Sequence, residues 1–259
     1  MIASVLKRNL FTKRFWLMSL LAACTMFLCE ADKIYAVFSA DVSYTALYII
    51  FRTNLFTQSQ AAVSAVMAGA CALSFCEDME NRYNTYSCMR TSPFNYGRAW
   101  IIGNLITVLL ATFFAYLFLL LALCTVLPLT VSTYPYENNF APYDKWIKAF
   151  PPIYILILSF TQGCNNAFLS MLSMIVLTKR SDRYVAIGVP VVLQQLLYWC
   201  SMLMPNYLDY YSISTADNLF DRGPIFHLCY TALFYGILFV LFGMIFIRAV
   251  EKNHHGGKK

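Results

Sequence analysis

The sequence predicts an all-α integral membrane protein with six spanning helices, and three observations predict it. Hydrophobic residues make up 59% of the 259-residue chain and charged residues only 12%, with a mean hydropathy of +0.58, far from the composition of a soluble domain. Six apolar segments, at about residues 15–31, 58–76, 99–127, 151–177, 184–204 and 224–248, approach the roughly 20 residues that a helix needs to cross the hydrocarbon. An even number of spans puts both termini on one side. With the termini inside the cell, Lys7, Arg8, Lys13, Arg14, Arg82, Arg90, Arg98, Lys179, Arg180, Arg183, Arg248, Lys252, Lys258 and Lys259 give 14 of the 19 Lys and Arg residues to the inner face. That bias is the one expected of cytoplasmic loops, so the sequence predicts a cell-membrane protein with both termini cytoplasmic. The net charge of +6 follows from topology and calls for no nucleic-acid partner.

Residues 1–14 set Val5, Leu6, Leu10 and Phe11 near one helical face against Lys7, Arg8, Lys13 and Arg14, the pattern of an interfacial helix lying on the inner leaflet. The first apolar segment follows a basic stretch, as in a signal peptide, but Glu30 and Asp32 follow it with no small-x-small cleavage site, so it is read as a retained span. Residues 44–51 are apolar but too few to cross, and belong at the outer surface or partway into the bundle. The third span, 29 residues and so about 43 Å long as a helix, must tilt, kink or project.

Residues 128–150, rich in Tyr, Pro and Asn, read as an outer loop, with Lys145, Trp146 and Lys148 as interfacial anchors before Pro151 and Pro152 open the fourth span. The fourth and fifth spans are joined only by residues 178–183, which makes them antiparallel neighbours. The outer connection 205–223 suggests a short helix among Tyr207, Tyr210 and Tyr211. Residues 1–250 form one membrane domain, and residues 251–259 a disordered cytoplasmic tail.

Nine cysteines, an odd number at no ligand spacing, give neither a disulfide framework nor a metal site and are read as packing residues. Residues 254 and 255, both His, lack the further ligands a metal would need. No titratable pair converges at bilayer depth, which argues against an intramembrane enzyme and against an ion-coupled transporter, and no catalytic residue is assigned. No Walker A sequence is present, so the chain supplies no ATPase of its own.

The polar interruption is the informative one. Between the second and third spans run Glu77, Asp78, Glu80, Arg82, Tyr83, Tyr86 and Arg90, ending at Pro93: three acids and two arginines around an aromatic centre. Such a knob offers a soluble partner polar contacts around an apolar middle, and Pro93 disfavours helix at Ser92 and so separates the knob from the third span.

Ser74-Phe75-Cys76-Glu77-Asp78-Met79-Glu80-Asn81-Arg82, then Arg90-Thr91-Ser92-Pro93 and Tyr96-Gly97-Arg98, resemble the type-2 ATP-binding-cassette export permeases, and the likeness in topology covers essentially the whole chain. The sequence departs from that family's commoner form at Asn81-Arg82-Tyr83, where a small residue or Gly is frequent. The resemblance implies six spans, an amphipathic inner helix, a cytoplasmic coupling helix between spans two and three, and a second permease subunit. It also implies separate ATP-binding-cassette ATPase subunits, which would carry ATP and Mg, and export of amphipathic or hydrophobic substrates such as drugs, peptide antibiotics or lipids. The alternative is a non-transporting membrane scaffold or sensor bound to an ATPase.

Within the spans, Gln162, Asn165 and Asn166 lie at i, i+3 and i+4, on one face of the fourth helix, with Gln194 and Gln195 in the fifth and Asn104 in the third. They either line a substrate path or hold the spans together by interhelical hydrogen bonds, the commoner use of such amides.

Overall fold

A computed structural model describes residues 1–38, 45–55, 57–81, 83–129, 146, 150, 152–205, 208–215 and 223–256. Its elements are all helical: α1 (Ile2–Leu10), α2 (Lys13–Cys29), α3 (Ala31–Phe38), α4 (Ala46–Leu55), α5 (Thr57–Gly69), α6 (Ala72–Glu80), α7 (Tyr83–Arg90), α8 (Pro93–Cys124), α9 (Ile153–Leu177), α10 (Arg183–Ser201), α11 (Tyr210–Thr215) and α12 (Pro224–Gly256). Four of them, α8, α9, α10 and α12, are each long and apolar enough to cross a membrane. Two bent pairs, α1 with α2 and α5 with α6, pass the same test when taken together, giving four to six candidate spans.

The break in the second expected span was invisible in the hydropathy, because the apolar run continues through Gly69, Ala70 and Cys71. The chain bends there by 44°. Ala70 and Cys71 donate to the carbonyls of Met67 and Ala68, three residues back, so one tightened turn ends α5 before α6 begins. The bend is compatible with packing on α2 because Gly69 has no Cβ, which would lie 3.1 Å from the Met18 sulfur.

Helix α1 turns by 57° into α2 and packs on α8. Its inward side chains are Val5 and Asn9, whereas Phe11, expected on the apolar face, is 84% exposed. Close approach to α8 is set by Gly103, where a Cβ would stand 2.7 Å from Val5 Cγ1. Ser92 caps α8, accepting from the Asn95 amide at 3.2 Å, and Pro93 takes the first helical position, where its missing N–H costs nothing. The third span is therefore longer than expected, 32 residues or about 48 Å.

Helix α9 is the centre of the bundle: 83% of its apolar window is buried, against 22% for α10 and for α12. It packs on α8, α10, α12 and α5. Helix α12 runs through Gly256, so residues 251–256, expected as a disordered tail, are helix. The outer loop 130–145, with Lys145, and also Lys148, lie outside the described residues.

Pro190, buried inside α10, cannot donate to the Ala186 carbonyl one turn earlier. Ser173 on α9 does so instead, at 2.8 Å. A neighbouring helix thus repairs the gap, as a medium without water requires. Ser173→Ala is expected to cost about 1 kcal/mol and to lower the thermal midpoint in detergent by roughly 2–4 °C. In a Pro190→Ala background, where residue 190 regains its own N–H, the same change should cost clearly less. Equal costs in the two backgrounds would show that Ser173 does not serve that carbonyl.

Candidate functional site

The acidic end of α6 is held by bases from three other elements. Arg8 of α1 makes a two-pronged contact with Asp78, at 2.6 and 3.0 Å, and its guanidinium lies over the Trp100 ring at 5.0 Å. Tyr96 adds a hydroxyl donated to Asp78 at 3.3 Å. Arg14, in the first turn of α2, grips Glu77 at 2.5 and 3.1 Å and donates to Ser74 at 3.2 Å. Arg183, opening α10, donates to Glu80 at 3.2 Å.

The three pairs are not equivalent. The Asp78 side chain is 8% exposed, while those of Glu77 and Glu80 are 37% and 31% exposed. Both Glu77 and Asp78 lie past the apolar run that ends at Cys76. The Arg14 hydrogen bonds hold Glu77 below the ordinary carboxylate range, while burial pushes Asp78 above it in spite of the opposing Arg8. Exposed pairs of this kind contribute about 1 kcal/mol or less; a buried carboxylate left without its base costs more.

With its acids occupied inside the chain, the knob presents α7. Cys88 points inward, whereas Tyr83 (55%), Tyr86 (66%), Met89 (71%) and Arg90 stand exposed. Residues 83, 86 and 90 recur at helical spacing and form one outward stripe. Thr91 closes the helix, donating to the Ser87 carbonyl at 2.9 Å and contacting the Met1 sulfur. Arg82 lies outside the described residues.

The amides of the long apolar helices are buried and bonded across helices. Asn104 donates to the Ala167 carbonyl at 2.7 Å and accepts from Ser170 at 2.7 Å. Asn166 accepts from Ser64 at 2.8 Å and donates to Thr112 at 3.4 Å. Gln162 donates to the Ser214 carbonyl of α11 at 2.8 Å. Gln194 donates to Gln60 at 2.9 Å and accepts from Asn165 at 3.3 Å, and Tyr210 donates to both Gln194 and Asn165. Gln195 is half-buried. Five helices therefore meet in one amide and hydroxyl network around α9.

Two features had no signal that sequence reasoning could use. Glu30, 1% exposed at the end of α2, faces Arg52 of α4 at 3.5 Å, a pairing set only by the return of α3 and α4 onto the bundle. Thr231 and Tyr235, one turn apart on α12, bury hydroxyls that find no hydrogen-bond partner among the described residues. No group of three or more His, Cys, Asp or Glu able to hold a metal occurs among the described residues.

Comparison with protein families, curated proteins and solved structures finds no match to this chain.

The burial of Asp78 sets a test. Arg8→Met should cost about 2 kcal/mol in thermal unfolding, and adding Asp78→Leu should recover most of it, because the double change removes the stranded charge as well as the pair. Arg14→Met should cost less than about 1 kcal/mol. A larger loss for Arg14→Met than for Arg8→Met would refute the ranking by burial.

Proposed function

We propose that this chain is the membrane-spanning permease subunit of an ATP-driven exporter of amphipathic or hydrophobic substrates. It works with a second permease subunit and with separate ATP-binding-cassette ATPases that carry ATP and Mg. The observation that carries the reading is α7: a helix of eight residues, set apart from its neighbours at Asn81 and at Ser92-Pro93, with an aromatic stripe turned outward.

Tyr83 and Tyr86 supply area at low entropic cost, Met89 adds adaptable apolar surface and Arg90 supplies charge, a composition common at the centres of protein interfaces. Glu77, Asp78 and Glu80 act behind that surface. Through Arg14, Arg8 and Arg183 they tie α6 to α2, α1 and α10, so that a displacement of α7 passes into several helices at once. Pro93 keeps α7 from merging with α8 and preserves it as a separate lever.

The amide network bears on where substrate would move. Asn104, Gln162, Asn165, Asn166 and Gln194 spend their hydrogen bonds on one another and on neighbouring helices, so the substrate path is assigned to the face between two permease subunits. A scaffold or sensor role would use the same α7 contact without transport.

The test is co-purification of the tagged chain from its own host. The expected partner contains a Walker A sequence and is lost, by at least tenfold, from the Tyr83→Ala/Tyr86→Ala variant, which should still reach the membrane and keep its thermal midpoint. Reconstituted with the partner, the wild-type chain should also raise ATP hydrolysis in response to an amphipathic substrate. Retention of the partner by the double variant would remove α7 from the interface. Partner binding with no substrate-stimulated hydrolysis would select the scaffold role.

A further inference from the structure

Helices α10 and α12 both pack on α9 and leave between them a groove of about 580 Å³. Its floor is Phe168, Leu172 and Val176 of α9, and its walls include Leu193 and Leu197 of α10 and Leu238 of α12. Along α12 the lining runs from Phe234 to Ile245, about 16 Å of helix. Nearly all of this surface is carbon, with Ser201 and Tyr210 toward one end.

At the other end the groove leads to bases. Lys179 and Arg180 follow Val176 by three and four residues, and Arg248 follows Ile245 by three; all three are exposed. The ends of α9 and α12 are joined, since Asn253 donates to the Thr178 carbonyl, so these bases share one rim. The acids nearby are Asp182, which stands 3.8 Å from Arg180, and Glu251; Arg183 is engaged by Glu80. Lys252 adds a further positive charge, and the rim is net basic.

We infer that the groove between α10 and α12 holds one acyl chain of an anionic phospholipid, whose phosphate sits on the rim formed by Lys179, Arg180 and Arg248. The chemistry matches at both ends: a hydrocarbon slot at bilayer depth, continued by cations where a headgroup would lie. A second copy of the chain is a poorer occupant. A twofold contact through the same groove would bring each basic rim toward its own image, and like charges would oppose the contact. An anionic lipid instead neutralises the rim. The inference is independent of the ATPase partner and stands on membrane residence alone.

The test uses the full chain in nanodiscs with phosphatidylglycerol or phosphatidylcholine carrying a photoreactive group on one acyl chain. Labelling by the phosphatidylglycerol probe is expected on peptides of the groove, at Leu172, Leu197 and Phe242, and roughly tenfold above that by phosphatidylcholine. The triple variant Lys179→Gln/Arg180→Gln/Arg248→Gln should abolish the preference between the lipids, while Leu197→Trp should reduce groove labelling and leave the thermal midpoint in detergent unchanged. Equal labelling by the two probes in the wild-type chain would overturn the headgroup assignment. Labelling that spares the groove, or Leu197→Trp converting a dimer to monomer with lipid labelling intact, would overturn the acyl-chain assignment.

Discussion

A bundle in hydrocarbon must satisfy its buried polar groups from within, and here that demand converges on α9. Gln162, Asn165, Asn166, Ser170 and Ser173 bond in turn to α11, α10, α5 with α8, α8, and the proline-freed carbonyl of α10. Apolar contact alone would let these helices slide, because lipid tails are as apolar as the side chains they touch. Directional bonds at five levels of one helix fix its register against α5, α8, α10 and α11. Close approach adds to this: at Gly163 a Cβ would lie 2.7 Å from Leu109, so α8 and α9 pack nearly backbone to backbone. The other elements are positioned by their attachment to this helix or to α8 beside it.

The acidic end of α6 does comparable work where water begins. Three bases, distant in sequence, arrive from α1, α2 and α10, and the bent α5–α6 pair is thereby tied at its polar end to both halves of the chain. The site is graded. Asp78 is deep, with Arg8, Tyr96 and the Trp100 ring enclosing it, while Glu80 meets an Arg183 whose side chain is 64% exposed. Screening weakens the outer pair far more than the inner one, so the tie of α6 to α1 is the stronger and its tie to α10 the weaker.

The four long apolar helices were legible because twenty apolar residues have few other uses. Pro93 and Ser92 likewise announced the start of α8 through local stereochemistry. What the sequence could not reveal were consequences of folding at a distance. The turn at Ala70 leaves no mark in a continuous apolar run, and Glu30 finds Arg52 only because α3 and α4 fold back. The amides at 162, 165 and 166 were visible as one helical face, yet their partners lie 29 to 102 residues away. The same holds for the charge cluster: its composition suggested a surface for a partner, and only its geometry reveals that the acids are already engaged.

That geometry separates two roles that composition had merged. A contact surface needs exposure, which Tyr83, Tyr86 and Met89 have; a linkage needs fixed partners, which Asp78 and Glu77 have. Placing them on successive helices joined by a short turn lets one be exchanged without disturbing the other. Asp78 joins α6 to Arg8 and hence to α1, which Val5 seats against Gly103 of α8. The Glu80–Arg183 pair at the foot of α10 is by contrast exposed and the most open to screening of the three. The tie of α6 to α1 is thus the buried one and its tie to the foot of α10 the exposed one, while α10 is held independently by the α9 network through Gln194 and the Ala186 carbonyl.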